Sequence, residues 1–342
     1  MKAKAQPQLE TLYIGVDIAK ADFAAATVWQ EQTKYLGKEK NTEAGCQAFT
    51  TRIGEQQQAC GAQQVHLVVE PTGGLESELV ARAYRCGWLV TVVTLGVVHS
   101  WAQGRGKRVK TDRQDAIMLA QYGAEEHPEP QQELPEEIVE LDSLLGRKID
   151  LEKLLQSERN RYGGLQRHTA PAVRRSLEHV ITALEQELKT IEAAIKQLQH
   201  AQPTIRQQLA FLRSVPGIGE TIGPLLLVQL SRFWARTNGR GTAKQFVAYL
   251  GLDPVPYESG SSVRRRATIS RQGNAFLRSK LFFGALGGVS GKNQLTLFYK
   301  SLLARSKPKK VALIACARKA VTWAWAVFAH DTYFDPALAA KT

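Results

Sequence analysis

Thr11-Leu-Tyr-Ile-Gly-Val-Asp-Ile18 (TLYIGVDI) decides how the first third of the chain is read. It is a short, β-rich apolar run that delivers one carboxylate, Asp17, near its end. A charge at the end of a buried strand is costly unless it is paired or binds a metal. Ala21–Trp29 and Thr33–Lys40 follow closely, which predicts a meander of three strands. Thr42–Gln58 reads as helix, and Gln64–Glu70 (QVHLVVE) as a further apolar strand ending at the breaker Pro-Thr-Gly-Gly. Leu75–Cys86 reads as helix and Trp88–Thr94 as strand. Strands alternating with helices predict an α/β unit with a mixed sheet. Residues 104–110 (GRGKRVK) read as a polar loop.

Working outward, residues 137–200 change character. From Val173, apolar residues fall at 173, 177, 181, 184, 188, 191, 195 and 198, close to a heptad seam. An earlier helix over about 136–161 carries Ile138, Leu141, Leu145, Ile149 and Leu155. Gly163-Gly164 and Pro171 separate the two, so a helical hairpin with a coiled-coil face is expected. Heptads do not name their partner, and packing within or between chains fits equally. Residues 201–342 read as mostly helical, with apolar helices at about 275–286 and 310–328. The expected division is 1–136, 137–200 and 201–342, an α/β unit followed by all-α ones.

The chain has 342 residues, 45 Lys and Arg against 32 Asp and Glu. Charge is uneven: residues 1–200 hold 24 basic and 27 acidic side chains, whereas residues 201–342 hold 21 and 5, a net +16. That bias points to polyanions, nucleic acid first. Four scattered cysteines without a C-x-x-C pair argue against a zinc site or disulfide framework. The N-terminus has no apolar signal segment, and Arg318 and Lys319 interrupt the longest apolar run. A cytoplasmic protein without a membrane span is therefore expected.

Glu70 ends its strand as Asp17 ends the first, and Asp112 and Asp115 in T-D-R-Q-D-A share one helix face at i, i+3. Strand acid, strand acid and helix acid pair make an oxygen-ligand set for hard cations. Two such ions can activate and stabilise the oxygens of a phosphoryl displacement. Each acid also has a plain reading, as turn residue, surface charge or helix cap. In the basic part, Pro216-Gly-Ile-Gly-Glu220 looks like a helix-hairpin-helix turn. There Gly217 and Gly219 would let backbone N–H groups approach a phosphate; a tight helix connection without ligand is the alternative. Tyr257-Glu-Ser259-Gly-Ser-Ser262 lies beside Arg264, Arg265 and Arg266, then Arg271, Asn274 and Arg278. Arginine pairs bidentately with phosphate, and a serine there can attack a phosphodiester if a base or metal activates it. The plain reading is a Ser/Gly surface loop beside phosphate-binding arginines.

Together, YIGVDIAK, VVEPTGG, KTDRQDAIMLA, VPGIGETIG, AYLGLDPVPYESGSSV and QGNAFLR resemble, in order and spacing, the DEDD transposases of the insertion-sequence one-ten family, also known as bridge-RNA-guided recombinases. The resemblance covers about residues 11–330. It implies an RNase H-like (RuvC-like) N-terminal domain whose acids Asp17, Glu70, Asp112 and Asp115 hold Mg²⁺, with Mn²⁺ fitting the same ligands. It implies a second domain with a nucleophilic serine, here Ser259. It further implies a coiled coil supporting a dimer that assembles to a tetramer, composite active sites, a structured non-coding guide RNA, and donor and target double-stranded DNA as partners. The family's Thr-Gly-aromatic after the glutamate motif is replaced here by Gly73-Gly74-Leu75. Competing readings are a water-using nuclease or junction resolvase, which needs the acids but not Ser259, and a non-catalytic nucleic-acid-binding regulator. An actin-like kinase shares the G-V-D-I strand, but no glycine-rich phosphate motif follows on a later strand.

Overall fold

The computed structural model describes residues 10–93, 95–105, 111–259 and 263–339, without the side chains at 95 and 256–267. Residues 106–110 of the polar loop expected at 104–110 lie outside the described residues. The chain forms two compact units, divided between Glu133 and Leu134.

The first unit contains β1 (Thr11–Ile18), β2 (Asp22–Trp29), β3 (Gln32–Lys40), α1 (Glu43–Cys60), β4 (Gln64–Val69), α2 (Ser77–Arg85), β5 (Leu89–Val92), α3 (Leu95–Gly104) and α4 (Asp112–Glu126). The sheet order is β3-β2-β1-β4-β5. β1, β2 and β3 pair antiparallel, while β4 runs parallel to β1 and β5 parallel to β4. The expected meander and mixed sheet are thus present. The β2–β3 turn holds Gln30 and Glu31 at φ 46° and 69°. A two-residue hairpin with both central residues left-handed is the twist-compatible connection, here made without glycine.

Strand alternation gives the sheet two buried faces. On one, Leu12, Ile14, Val16, Phe23, Leu67 and Val69 pack with Phe49 and Ile53 of α1 and Leu79 of α2. On the other, Ala24, Ala26 and Val28 pack with Ala116 and Ala120 of α4, and Val68 packs with Met118 and Leu119. The small residues let α4 lie very close. A Cβ on Gly15 would overlap the backbone at Ala116 O and Ala120 N, and one on Gly123 would sit 2.8 Å from Val68 Cγ2. Because Gly15 meets residues 116–120 and Tyr13 meets Gly123, α4 runs antiparallel to β1. Its first turn therefore overhangs the C-terminal ends of β1 and β4.

His66 sits on this face and is only 3% exposed. Its Nε2 lies 2.8 Å from Thr91 Oγ1, and burial, helped by the His127 charge, pushes its pKa down from 6.5 to about 4.

The second unit contains α5 (Glu136–Gly163), α6 (Pro171–Ala201), α7 (Pro203–Arg213), α8 (Ile222–Arg236), α9 (Ala243–Tyr249), β6 (Pro254–Ser259), β7 (Val263–Ile269), α10 (Ala275–Gly288), α11 (Gln294–Ala304), α12 (Lys309–Ala329) and α13 (Pro336–Ala339). α5 and α6 form an antiparallel pair within the chain, tied by Arg159–Glu185 and Lys148–Glu192, each at 2.7 Å. The seam is buried at Ile195 and Leu198 but open at Val173, which is 48% exposed. Ile138, Leu141, Leu145, Ile195 and Leu198 share one core with the helices that follow, so the base of the hairpin belongs to the second unit. Among the described residues, α12 is long and apolar enough by composition to cross a membrane. Here its Cys316, Ala320, Val321 and Trp325 are core residues, beside Phe233 and Phe246.

Gly15→Ala is expected to destabilise the protein by about 3 kcal/mol, the upper range for overpacking a core. Gly54→Ala, on α1 with nothing near its added Cβ, should instead stabilise by up to about 1 kcal/mol. Urea unfolding of the two variants checks both signs. A folded-state pKa below the unfolded one makes the His66 contribution whole above pH 6.5 and progressively lost as pH falls towards about 4. The full-length protein should lose roughly 3 kcal/mol over that window through this residue. His66→Gln should remove that share of the pH slope, read as the difference between unfolding curves of the two proteins.

Candidate active site

The site begins with a row across the sheet. Lys38 on β3 pairs with Ala24 on β2, and Ala24 pairs with Asp17 on β1. Val16 pairs with Val69, so Glu70 follows β4 directly beside Asp17. Lys38, Asp17 and Glu70 therefore lie along one line, on the face that α4 covers. Glu70 is 8% exposed. Thr111 caps α4, its side chain accepting from Gln114 N at 3.2 Å, which leaves Asp112 and Asp115 in the first turn. The positive end of the helix dipole favours acids at that place. The four carboxylates expected from the sequence thus come from three elements to the same end and face of one sheet.

Asp112 already has a cation. Lys38 Nζ donates to its Oδ2 at 2.5 Å and lies 3.5 Å from Asp22 Oδ1. That hydrogen bond holds the Asp112 carboxyl below its ordinary range and raises the Lys38 ammonium. Both groups are exposed. The donor set suits a hard divalent ion, being all carboxylate oxygen, and the ammonium on Asp112 marks a cation position. Among the described residues, however, no three acids, histidines or cysteines stand close enough to form a closed metal cage.

Glu76 was not singled out from the sequence. Its Oε2 accepts from Thr72 N and Gly74 N at 3.0 Å each and from Thr72 Oγ1 at 2.8 Å. Burial pushes its carboxyl up, but these hydrogen bonds outweigh that and hold it below the usual range. Glu76 thereby folds the Pro71–Leu75 turn that follows Glu70. Only the Thr-x-x-x-Glu spacing hinted at it.

In the second unit, Ser259 ends β6, with its backbone opposite Val263 of β7. Tyr257 stands opposite Arg265, and Glu258 opposite Arg264, with Arg266 next along β7. The side chains of Ser259 and Arg264–Arg266, and all of Gly260–Ser262, lie outside the described residues. The segment expected as a loop is a β-hairpin. Prolines at 254 and 256 and a run of arginines hid its alternation.

The residues after the hairpin brace it. Asn274 caps α10, its Oδ1 accepting from Leu277 N at 3.0 Å. Arg278 Nη1 donates to the carbonyls of Leu250, at 3.3 Å, and Gln272. Arg271 is exposed, with φ 58°. Gly217 packs under α10: a Cβ there would sit 3.0 Å from Gly284 O, and one on Gly288 would sit 2.9 Å from Gly217 Cα. Gly219 is exposed on the same turn. Asn274, Arg278 and Gly217 thus have structural duties, while Arg271 and Gly219 face solvent.

A DEDD transposase model of the IS110 type matches residues 14–171, the α/β unit and the start of the hairpin. A model described as "Transposase IS116/IS110/IS902 family" matches residues 209–300, which include Ser259. The site and these matches define a transposase, an enzyme that acts on DNA. At full length, the chain is 31% identical to a pilin gene-inverting protein of Moraxella bovis over 94% of its own residues and 97% of the relative's. The corresponding protein of Moraxella lacunata is 30% identical over the same shares. A probable family 20 transposase of Pseudomonas aeruginosa is 28% identical over 46% of this chain and 47% of its own. The chain belongs to the IS110 (insertion-sequence one-ten) family of transposases. Divalent metal use goes with a DEDD domain of this kind.

Asn274→Ala is expected to cost about 1 kcal/mol of stability, the usual worth of an N-cap. Chemical unfolding measures it. An unchanged midpoint together with weakened nucleic-acid binding would make Asn274 a ligand contact instead.

Proposed function

We propose that this protein is an RNA-guided DNA recombinase that exchanges strands between donor and target through a phosphoserine intermediate and a Holliday junction. The reading rests above all on one observation: Asp17 and Glu70 are neighbours in one sheet row, under the helix turn that carries Asp112 and Asp115. In this reading the four acids hold Mg²⁺, whose Lewis acidity is spent on the scissile phosphate when bound. Ser259 Oγ attacks phosphorus; the Oγ–P bond forms as the P–O bond to the departing sugar hydroxyl breaks. The hydroxyl proton passes to a base and the leaving oxygen takes one up. Attack by the hydroxyl of the other strand reverses the chemistry, so no nucleotide cofactor is needed.

A net +16 over residues 201–342 supplies the phosphate contacts that a guide RNA and two DNAs require. Sequence choice is left to base pairing, in the manner of other RNA-guided enzymes. The active form in this reading is a tetramer built from dimers. Inversion, named for the Moraxella relatives, and transposition share this chemistry and differ only in whether the two sites lie on one DNA.

Ser259→Ala should abolish the covalent protein–DNA adduct while the same discrete RNA still copurifies. Asp17→Ala should block both adduct and strand exchange with the fold intact. Denaturing gels of end-labelled DNA, with sequencing of the bound RNA, read all of these. An adduct that persists in Ser259→Ala contradicts the serine assignment. Metal-dependent cleavage without any adduct in the parent protein favours the water-using nuclease.

A further inference from the structure

Lys38 lies at the edge of the row that carries Asp17 and Glu70, yet no step above uses it. Its strand neighbour is Ala24, whose small side chain lets the ammonium cross towards the first turn of α4. There it meets Asp112 Oδ2 at 2.5 Å, with Asp22 Oδ1 at 3.5 Å behind it. Stability does not explain the pair, because both side chains are about half exposed and such ion pairs contribute little to folding. Charge does explain it. Asp17, Glu70, Asp112 and Asp115 are brought to one end of one sheet, and without a cation they repel one another.

A divalent ion needs the oxygen that the ammonium holds. One carboxylate oxygen cannot keep both at contact distance, since the two cations repel. We infer that Lys38 is an exchangeable counter-cation: it occupies Asp112 in the metal-free protein and must leave that oxygen before Asp112 can ligate a divalent ion. Lys38 thus sets the affinity of the site for metal. It is a positioning residue, acting through Asp112. This rests on the reading of the four acids as the metal ligands.

The test is direct binding of Mn²⁺ to the full-length, nucleic-acid-free protein, followed by the electron paramagnetic resonance of free Mn²⁺. The Lys38→Met variant should bind about three- to fivefold more tightly than the parent, the ratio an exposed ion pair supports. Lys38→Arg, which keeps the pair, should bind like the parent. In an Asp112→Asn background, Lys38→Met should change nothing. Lys38→Gln serves in place of Lys38→Met if circular dichroism finds the latter unfolded. Equal or weaker binding by folded Lys38→Met, with binding lost in Asp17→Asn, overturns the inference and leaves the metal site standing. Binding indifferent to Asp17→Asn, or none in the parent and Lys38→Met alike, overturns the reading of the acids and the inference with it.

Discussion

The approach of α4 to β1 at Gly15 is the constraint on which the first unit depends. Helix backbone fills the space that any side chain at Gly15 would need. Close packing follows from it, and so does direction: the antiparallel run of α4 along β1 brings the start of the helix over the ends of the parallel strands. The alanines of β2 extend the same close fit to the sheet edge. Chemistry-bearing groups are thereby placed by rigid elements rather than by loops, which is where precision in a site comes from.

That placement gathers negative charge, and the surrounding structure answers it in three ways. The α4 N-terminus offers its dipole to Asp112 and Asp115. Lys38 neutralises Asp112 from the opposite edge of the sheet. Thr72 and Gly74 hydrogen bonds turn Glu76 inward, so that the acid nearest the turn after Glu70 is committed to loop structure. Positive charge is kept largely to residues 201–342, where 21 basic side chains face 5 acidic ones. The two parts of the chain thus carry opposite electrostatic tasks, cation binding and polyanion binding.

Much of this was legible in the sequence, for physical reasons. β1 and β4 are buried on both faces, so they appear as continuous apolar runs, and their terminal carboxylates stand out against that background. α10 and α12 were legible as apolar stretches. The β6–β7 hairpin was not, because prolines and consecutive arginines erase the period-two pattern. Gly217 carried two meanings locally; only the proximity of Gly284 and Gly288, more than sixty residues on, decides for packing. Asn274 and Arg278 looked like phosphate ligands by composition, yet the ends of α10 and the 250–272 backbone needed those same hydrogen-bonding groups. Lys38 was invisible because its partner lies 74 positions away and pairing depends on sheet register.

The account stands on the claim that Asp17, Glu70, Asp112 and Asp115 form one divalent-metal site. Anomalous diffraction from crystals soaked in Mn²⁺ tests it most directly. The account predicts an anomalous peak at the C-terminal ends of β1 and β4, ligated by Asp17, Glu70 and at least one α4 carboxylate. A peak bound elsewhere, or none at saturating Mn²⁺ with the acids in their present positions, would contradict it.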